Sequence, residues 1–251
     1  MVNSFDLSGR TAIVTGANTG IGQGIAVALA EAGASIVAVG RSSMEETEAL
    51  VTKTGVRFHA IKADFGTIAP VKNIVAETIS VFGGLDILIN NAGIIRRADA
   101  IDFTEDDWDA VIDTNLKTAF FLSQAAGRHM LEKGSGKIVN IASLLSFQGG
   151  IRIPSYTASK SGLAGITRLL ACEWAGKGVN VNAIAPGYFS TNNTTALRED
   201  PDRNAAILAR IPAGRWGTPS ELGGTAVFLA SAASDYVHGT VIPVDGGWLA
   251  R

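Results

Sequence analysis

The chain has a single cysteine, Cys172, so no intrachain disulfide can brace it, and the helical-looking run LLACEWA around it reads as the setting of a buried thiol with no chemical role. No apolar run approaches the roughly 18 residues needed to cross a bilayer. The opening MVNSFDLSGR carries no apolar stretch of the secretory kind, so the expectation is a cytoplasmic protein with no membrane contact. An excess of one charge is missing as well: a formal net charge of -2 with 18% charged residues offers no grip on nucleic acid and no sign of disorder. No Pro/Ser-rich linker or repeat divides the chain, so residues 1–251 read as one domain. With 47% hydrophobic residues that domain can bury a sizeable core, and a small molecule, rather than a metal ion or a polymer, is its expected partner.

Short β-branched runs alternate with longer segments of helical periodicity, the pattern of βαβ units around a parallel sheet. Seven runs read as strands: TAIVTG (11–16), ASIVAVG (34–40), FHAIKAD (58–64), LDILINNAG (85–93), GKIVNIAS (136–143), VNVNAIAPG (179–187) and TVIPVDGG (240–247). Most are apolar throughout, as strands covered on both faces are. Helices are expected over 20–32, 44–53, 67–82, 104–131, 156–175 and 219–230, several opened by an Asp, Ser or Thr that can cap them. The predicted class is α/β, a doubly wound sheet of seven mainly parallel strands with helices on both faces. The stretch 188–215, polar and holding Pro201 and Pro212, is long for a βα connection and reads as a substrate lid.

Thr15-Gly16-Ala17-Asn18-Thr19-Gly20-Ile21-Gly22 ends the first strand and opens the first helix, which sets backbone N–H groups and a positive helix end where a pyrophosphate can sit. Its G-x-x-x-G-x-G spacing differs from the G-x-G-x-x-G dinucleotide fingerprint, and alone such a turn is as readily a plain tight turn. Its context strengthens the binding reading. Asp64 closes the third strand and Asn90-Asn91-Ala92-Gly93 the fourth, at the strand ends where open α/β sheets bind ligands. Ser143 ends the fifth strand, and thirteen positions later Tyr156-Thr157-Ala158-Ser159-Lys160 begins a helix. Tyr156 and Lys160, at i and i+4, share a helix face. A phenol titrates near about 10, too high for proton transfer at neutral pH, and the ammonium of Lys160 would favour the phenolate. Ser143 could hydrogen-bond a substrate oxygen and hold it against Tyr156. A Tyr-x-x-x-Lys pair by itself is usually a solvated helix pair; joined to the turn and to Ser143 it describes a carbonyl-reduction site.

TGANTGIG, NNAG, Asn115 in the long helix, Ser143 and YTASK together resemble the short-chain dehydrogenase/reductase family, from the first strand to VDGG. The resemblance implies a Rossmann-type, NAD(P)-dependent oxidoreductase acting on CH–OH groups, with Asn115, Ser143, Tyr156 and Lys160 as its catalytic set. Asn115 would hold a water linking Lys160 to solvent. Gly16, Asn18, Thr19, Gly20, Ile21 and Gly22 would contact the pyrophosphate end, Asp64 and Phe65 flank the adenine, and Asn91, Ala92 and Gly93 line the ribose. Lys160 would also bond the nicotinamide ribose beside Tyr156, with Pro186, Gly187 and Thr191 at the nicotinamide.

Finer stretches, NNAGIIRRADA, NIASLLSFQGGIRIPSYTASKSG and RIPAGRWGTPSEL among them, resemble members that oxidise or reduce a secondary alcohol or ketone of a deoxy sugar acid. An anionic substrate needs cations or donors near Tyr156, and Arg96, Arg97, Gln148, Arg152, Tyr188 and Arg215 are the candidates. The cofactor is left open by the residues. The position expected to carry a carboxylate for the NAD ribose is Gly40, and Arg41-Ser42-Ser43 after it favours the 2′-phosphate of NADP, whereas the resembling group is usually linked with NAD. A 3-oxoacyl-thioester reductase of the same family would share the catalytic set, and a non-catalytic dinucleotide-binding regulator would not need it. The resemblance also implies a homotetramer.

Overall fold

The computed structural model describes residues 4–251. Its strands form one seven-stranded sheet in the order β3-β2-β1-β4-β5-β6-β7, with every pairing parallel. They are β1 Thr11–Thr15, β2 Ser35–Gly40, β3 Phe58–Lys62, β4 Ile87–Asn90, β5 Gly136–Ile141, β6 Val179–Pro186 and β7 Val241–Val244. Each expected strand is present, trimmed by a few residues where the chain leaves the ladder into a loop. The apolar runs explain the interior strands: β1 and β4 are buried along their whole length. The edge strands β3 and β7 are partly exposed, and there the expectation of cover on both faces does not hold. Each fully buried Ile or Leu of the interior contributes roughly 1.5–3 kcal/mol by leaving water.

The helices are α1 Gly20–Glu31, α2 Glu45–Thr52, α3 Val71–Phe82, α4 Glu105–Ile112, α5 Thr118–Lys133, α6 Pro154–Trp174, α7 Thr195–Glu199, α8 Pro201–Arg210 and α9 Gly223–Ala230. One apolar layer gathers β1, β2, α1 and α9, among them Val14, Ile25, Leu29, Ile36 and Leu229. A second covers the other face with α3, α5 and α6, through Ile13, Ile74, Leu88, Leu122, Leu170 and Trp174. The direction of chain progression reverses between β1 and β4, which leaves a crevice at the carboxyl ends of those two strands.

Three expectations are corrected. The single helix expected over 104–131 is broken: Asp113–Lys117 is a π-helical stretch between α4 and α5. The segment 188–215, for which the sequence predicts no helix, holds α7 and α8. Cys172 is exposed, because the buried face of α6 runs through Leu163, Thr167, Leu170, Ala171 and Trp174 and turns position 172 outward.

A polar chain crosses the second layer. Asn90 Nδ2 donates to Asn140 Oδ1 at 2.8 Å and to Ser123 Oγ at 2.9 Å, while Asn140 Nδ2 donates to Thr167 Oγ1 at 2.9 Å. These side chains are buried, so each needs the other as a partner, and together they tie β4 and β5 to α5 and α6. Asn140→Ala is expected to lower the unfolding free energy by about 2–4 kcal/mol, through unpaired Asn90 and Thr167 and the cavity left behind. Equilibrium denaturation checks it.

Candidate active site

β1 ends at Thr15, whose hydroxyl bridges the crevice. It donates to Ile89 O at 3.3 Å and accepts from Asn91 N and Ala92 N, both at 2.9 Å. Asn91 Nδ2 returns to Thr15 O at 2.9 Å and Gly16 O at 3.2 Å. The turn that follows needs glycine: Gly16 and Gly20 have φ of 64° and 58°, a region side chains disfavour. At Gly22 an added Cβ would lie 2.2 Å from Gly16 O and 2.4 Å from Asn91 Nδ2. The first turn of α1 has neither a side-chain cap nor an acidic residue, so its N–H groups stay available to an anion. This cradle fits a dinucleotide pyrophosphate. Thr191 lies against it, its methyl 3.5 Å from where a Cβ on Gly20 would stand, so the start of the 188–215 segment meets the glycine turn.

Beyond the turn, Asn18 Nδ2 donates to Ser42 Oγ at 2.8 Å. Gly40, Arg41, Ser42 and Ser43 line an open cleft of about 420 Å³ whose far side includes Lys62 at the end of β3. Arg41, Lys62 and two hydroxyls, with no carboxylate at position 40, offer partners to a phosphate dianion, while Glu45 and Glu48 line the same cleft with negative charge. Asp64 is exposed and accepts from Gly66 N at 3.0 Å. Phe65 is buried at 5% exposure in the apolar layer that holds α3, α5 and α6. Pro186 closes β6, and Gly187 N bonds Val244 O at 2.9 Å.

Ser143 follows β5, and its hydroxyl accepts from Leu145 N at 3.3 Å. α6 brings Tyr156 opposite it. Lys160 is buried at 4% exposure, with Nζ 2.6 Å from Ile141 O and 5.6 Å from the centre of the Tyr156 ring. Burial pushes the Tyr156 phenol above its usual value, against the pull of a hydrogen bond from Ser143 and the positive charge of Arg97. Burial lowers Lys160 itself to about 8, which leaves it protonated at neutral pH.

Asn115 sits in the π-helical stretch, an irregularity that recurs at functional sites. Its amide accepts from Ile94 N at 2.8 Å, donates to Ile94 O at 2.9 Å and donates to Ser159 Oγ at 3.3 Å, and Ser159 Oγ donates to Tyr156 O at 2.9 Å. The side chain thereby clamps the loop after β4 onto α6.

The substrate candidates divide. Arg96 pairs with Asp107 at 3.1 Å, Arg152 with Asp99 at 3.1 Å and Arg215 with Glu221 at 2.6 Å, all three as exposed ion pairs. Glu221, held to about 2 first by Arg215 and then by Thr218 N, also closes the capping box before α9. Gln148 Oε1 accepts from Trp248 Nε1 at 3.1 Å and Arg210 Nη2 at 3.3 Å, and the Arg210 guanidinium stacks 4.0 Å from the Trp248 ring. Tyr188 packs against Trp248 and Trp216 at 4.7 and 5.4 Å. These contacts join the loop after Ser143, the segment 188–215 and the last turn of the chain.

The glycine cradle, Ser143, Tyr156 and Lys160 thus share one edge of the sheet. A family profile described as enoyl-(acyl carrier protein) reductase, a short-chain dehydrogenase type, matches residues 16–249. The chain belongs to the short-chain dehydrogenase/reductase family. It is 58% identical over 252 residues to the 2-dehydro-3-deoxy-D-gluconate 5-dehydrogenase of Dickeya dadantii, covering 100% of both, and 57% identical over 252 residues, again 100% of both, to that of Escherichia coli. A solved Agrobacterium tumefaciens structure, provisionally described as a 2-deoxy-D-gluconate 3-dehydrogenase with bound NADP, is 60% identical with a TM-score of 0.94, covering 99% of this chain and 100% of that one. As a family member the chain is an oxidoreductase of the NAD(P)-dependent kind.

Sequence reasoning passed over Thr15, Lys62, Ser159 and Arg210. Thr15 had a signal, as the hydroxyl directly before Gly16; the other three depend on partners far along the chain. Lys160 supplies a pH test. Its folded value, about 8, lies below the ordinary 10.5, so folding is penalised while the buried amine is charged. Wild type should therefore gain stability relative to Lys160→Met as pH rises from about 8 to 10.5, approaching about 3 kcal/mol. Denaturation of both proteins across that range checks it, and a flat difference would refute the buried charge.

Proposed function

We propose that this chain transfers a hydride between NADP and the secondary alcohol or ketone of a deoxy sugar acid, the pair 2-dehydro-3-deoxy-D-gluconate and its 2,5-diketo acid being the substrate type. The observation that carries the chemistry is the enclosure of Tyr156 between Ser143 and the buried ammonium of Lys160. End-to-end similarity to enzymes named for that substrate supports the choice of acid.

In the reducing direction Tyr156 gives its proton to the carbonyl oxygen, Ser143 holds that oxygen by a hydrogen bond, and Lys160 offsets the negative charge left on the phenol. Bound NADPH supplies the hydride to the carbonyl carbon, and NADP takes it back in oxidation. Asn115 positions α6 and the loop after β4, and Thr15 and Asn91 hold the cradle. Asn18, Thr19, Ile21, Ala92, Gly93 and Asp64 line the course of the dinucleotide. Residues 188–215 serve as the lid, with Thr191 and Gly187 at the nicotinamide end. Arg41, Ser42 and Lys62 would hold the 2′-phosphate, which favours NADP over NAD. The reading carries with it a homotetramer, implied by the family resemblance, and a cytoplasmic location, expected from the opening sequence.

Oxidation of 2-dehydro-3-deoxy-D-gluconate, followed as reduced nicotinamide absorbance with each cofactor beside gluconates and 3-oxoacyl thioesters, tests the assignment; preference for a thioester would replace it. Tyr156→Phe should lose at least about 100-fold in turnover while binding NADP as wild type does. Arg41→Ala should raise the KM for NADP well above any change for NAD. Equal effects on both would remove Arg41 from cofactor selection.

A further inference from the structure

A third apolar cluster stands apart from the two layers on the sheet. Leu144, directly after Ser143, packs there with Ile207 and Ile211 of the 188–215 segment and with Trp248, in the turn that follows β7. α8 depends on that cluster, because Ile207 is the buried residue among its ten. A helix with so few apolar anchors opens more readily than the sheet core, so what grips it decides how it moves.

Trp248 grips it from several sides. Its Nε1 donates to Gln148 Oε1 at 3.1 Å, the Arg210 guanidinium lies 4.0 Å from its ring centre, and Tyr188 packs on it at 4.7 Å. Arg210 Nη2 donates to the same Gln148 oxygen at 3.3 Å, which joins α8, the turn after β7 and the loop after Ser143 through one acceptor. The turn itself is held in place. Asp245 accepts from Gly247 N at 2.8 Å and from Leu249 N at 3.0 Å, and Ala213 N donates to Gly246 O at 3.0 Å. The two halves of the contact differ: Trp248 is buried at 4% exposure, while Arg210 is exposed on the last turn of α8.

We propose that the turn after β7 is a clasp for the lid, with Trp248 and Arg210 as positioning residues that hold α8 against the loop carrying Ser143. Parting Arg210 from Trp248 opens the substrate pocket. This rests on the reading of 188–215 as a lid given under Proposed function. A guanidinium–indole stack and a shared amide oxygen are each weak at an exposed site, which suits a contact that must break and re-form in every turnover. Leu144 adjoins Ser143, so the clasp bears on the hydrogen-bond donor for the substrate as well as on the lid.

The test compares wild type with Arg210→Met, which leaves the apolar cluster intact, and with Arg210→Lys and Trp248→Phe. Trypsin cleavage after Arg198 and Arg203, followed by mass spectrometry with NADP bound, reads lid opening. The kcat and KM on 2-dehydro-3-deoxy-D-gluconate read its consequence, and calorimetry reads NADP affinity. Arg210→Met should speed both cleavages about 3- to 30-fold and lower kcat/KM by a similar factor, mostly through KM, with NADP affinity unchanged. Arg210→Lys keeps a cation at the ring and Trp248→Phe keeps a ring at the cation, so each should fall between wild type and Arg210→Met. Cleavage of Arg210→Met at the wild-type rate, faster cleavage with an unchanged KM, or faster cleavage along the whole chain with loss of NADP binding would overturn the clasp. If wild type turns over no sugar acid, the proposed function fails, while the cleavage rates still decide whether the clasp holds α8.

Discussion

The hydrogen bonds between the ends of β1 and β4 are the constraint on which the rest of the site depends. Parallel strands deliver every carboxyl end to one edge, but at the reversal of strand order the two chains that leave β1 and β4 must part, and an open crevice would expose unpaired backbone. Thr15 and Asn91 satisfy those groups with side chains, and Asn91 reaches on to the carbonyl of Gly16. That fixes the turn against which Gly22 has no room for a Cβ, and so fixes where α1 begins. Binding and packing share the same atoms there.

The chemical half of the site is costly to fold. Lys160 is an amine among apolar walls with one carbonyl partner, and burial opposes the charge of both Lys160 and the Tyr156 phenolate. A pair so costly to bury suits reactivity better than stability. The neighbours that hold it, Ser159, Asn115 and the Ile94 backbone, form a continuous hydrogen-bonded path from α6 to the loop after β4.

Much of the fold was legible because buried parallel strands are long β-branched runs, and all seven appear where those runs lie. The failures have local causes. A π-helical stretch keeps helical hydrophobic spacing while changing the hydrogen-bond step, so Asp113–Lys117 left no mark in the periodicity. The start of α8 did leave one: Asp200 accepts from Asp202 N and Arg203 N with Pro201 in the first turn, an N-cap signature inside the segment read as a lid. Phase along α6 would likewise have turned Cys172 outward. The residues expected for catalysis and cofactor were placed from the sequence by strand and helix ends, and the fold brings Ser143, Tyr156 and Lys160 to one edge of the sheet. The arginines were not, because whether Arg96 or Arg152 is free depends on Asp107 and Asp99, whose approach is a property of the folded loop.

The central claim is that the crevice and the Tyr156 pocket serve one hydride transfer to a sugar-acid ketone. Mass spectrometry of the product formed from the 2,5-diketo acid with NADPH deuterated at the transferable C4 position tests it most directly. The account predicts one deuterium on the new carbinol carbon, in wild type and in whatever residual turnover Tyr156→Phe retains. A reduced product without deuterium, or no reduction of the diketo acid at all, would contradict it.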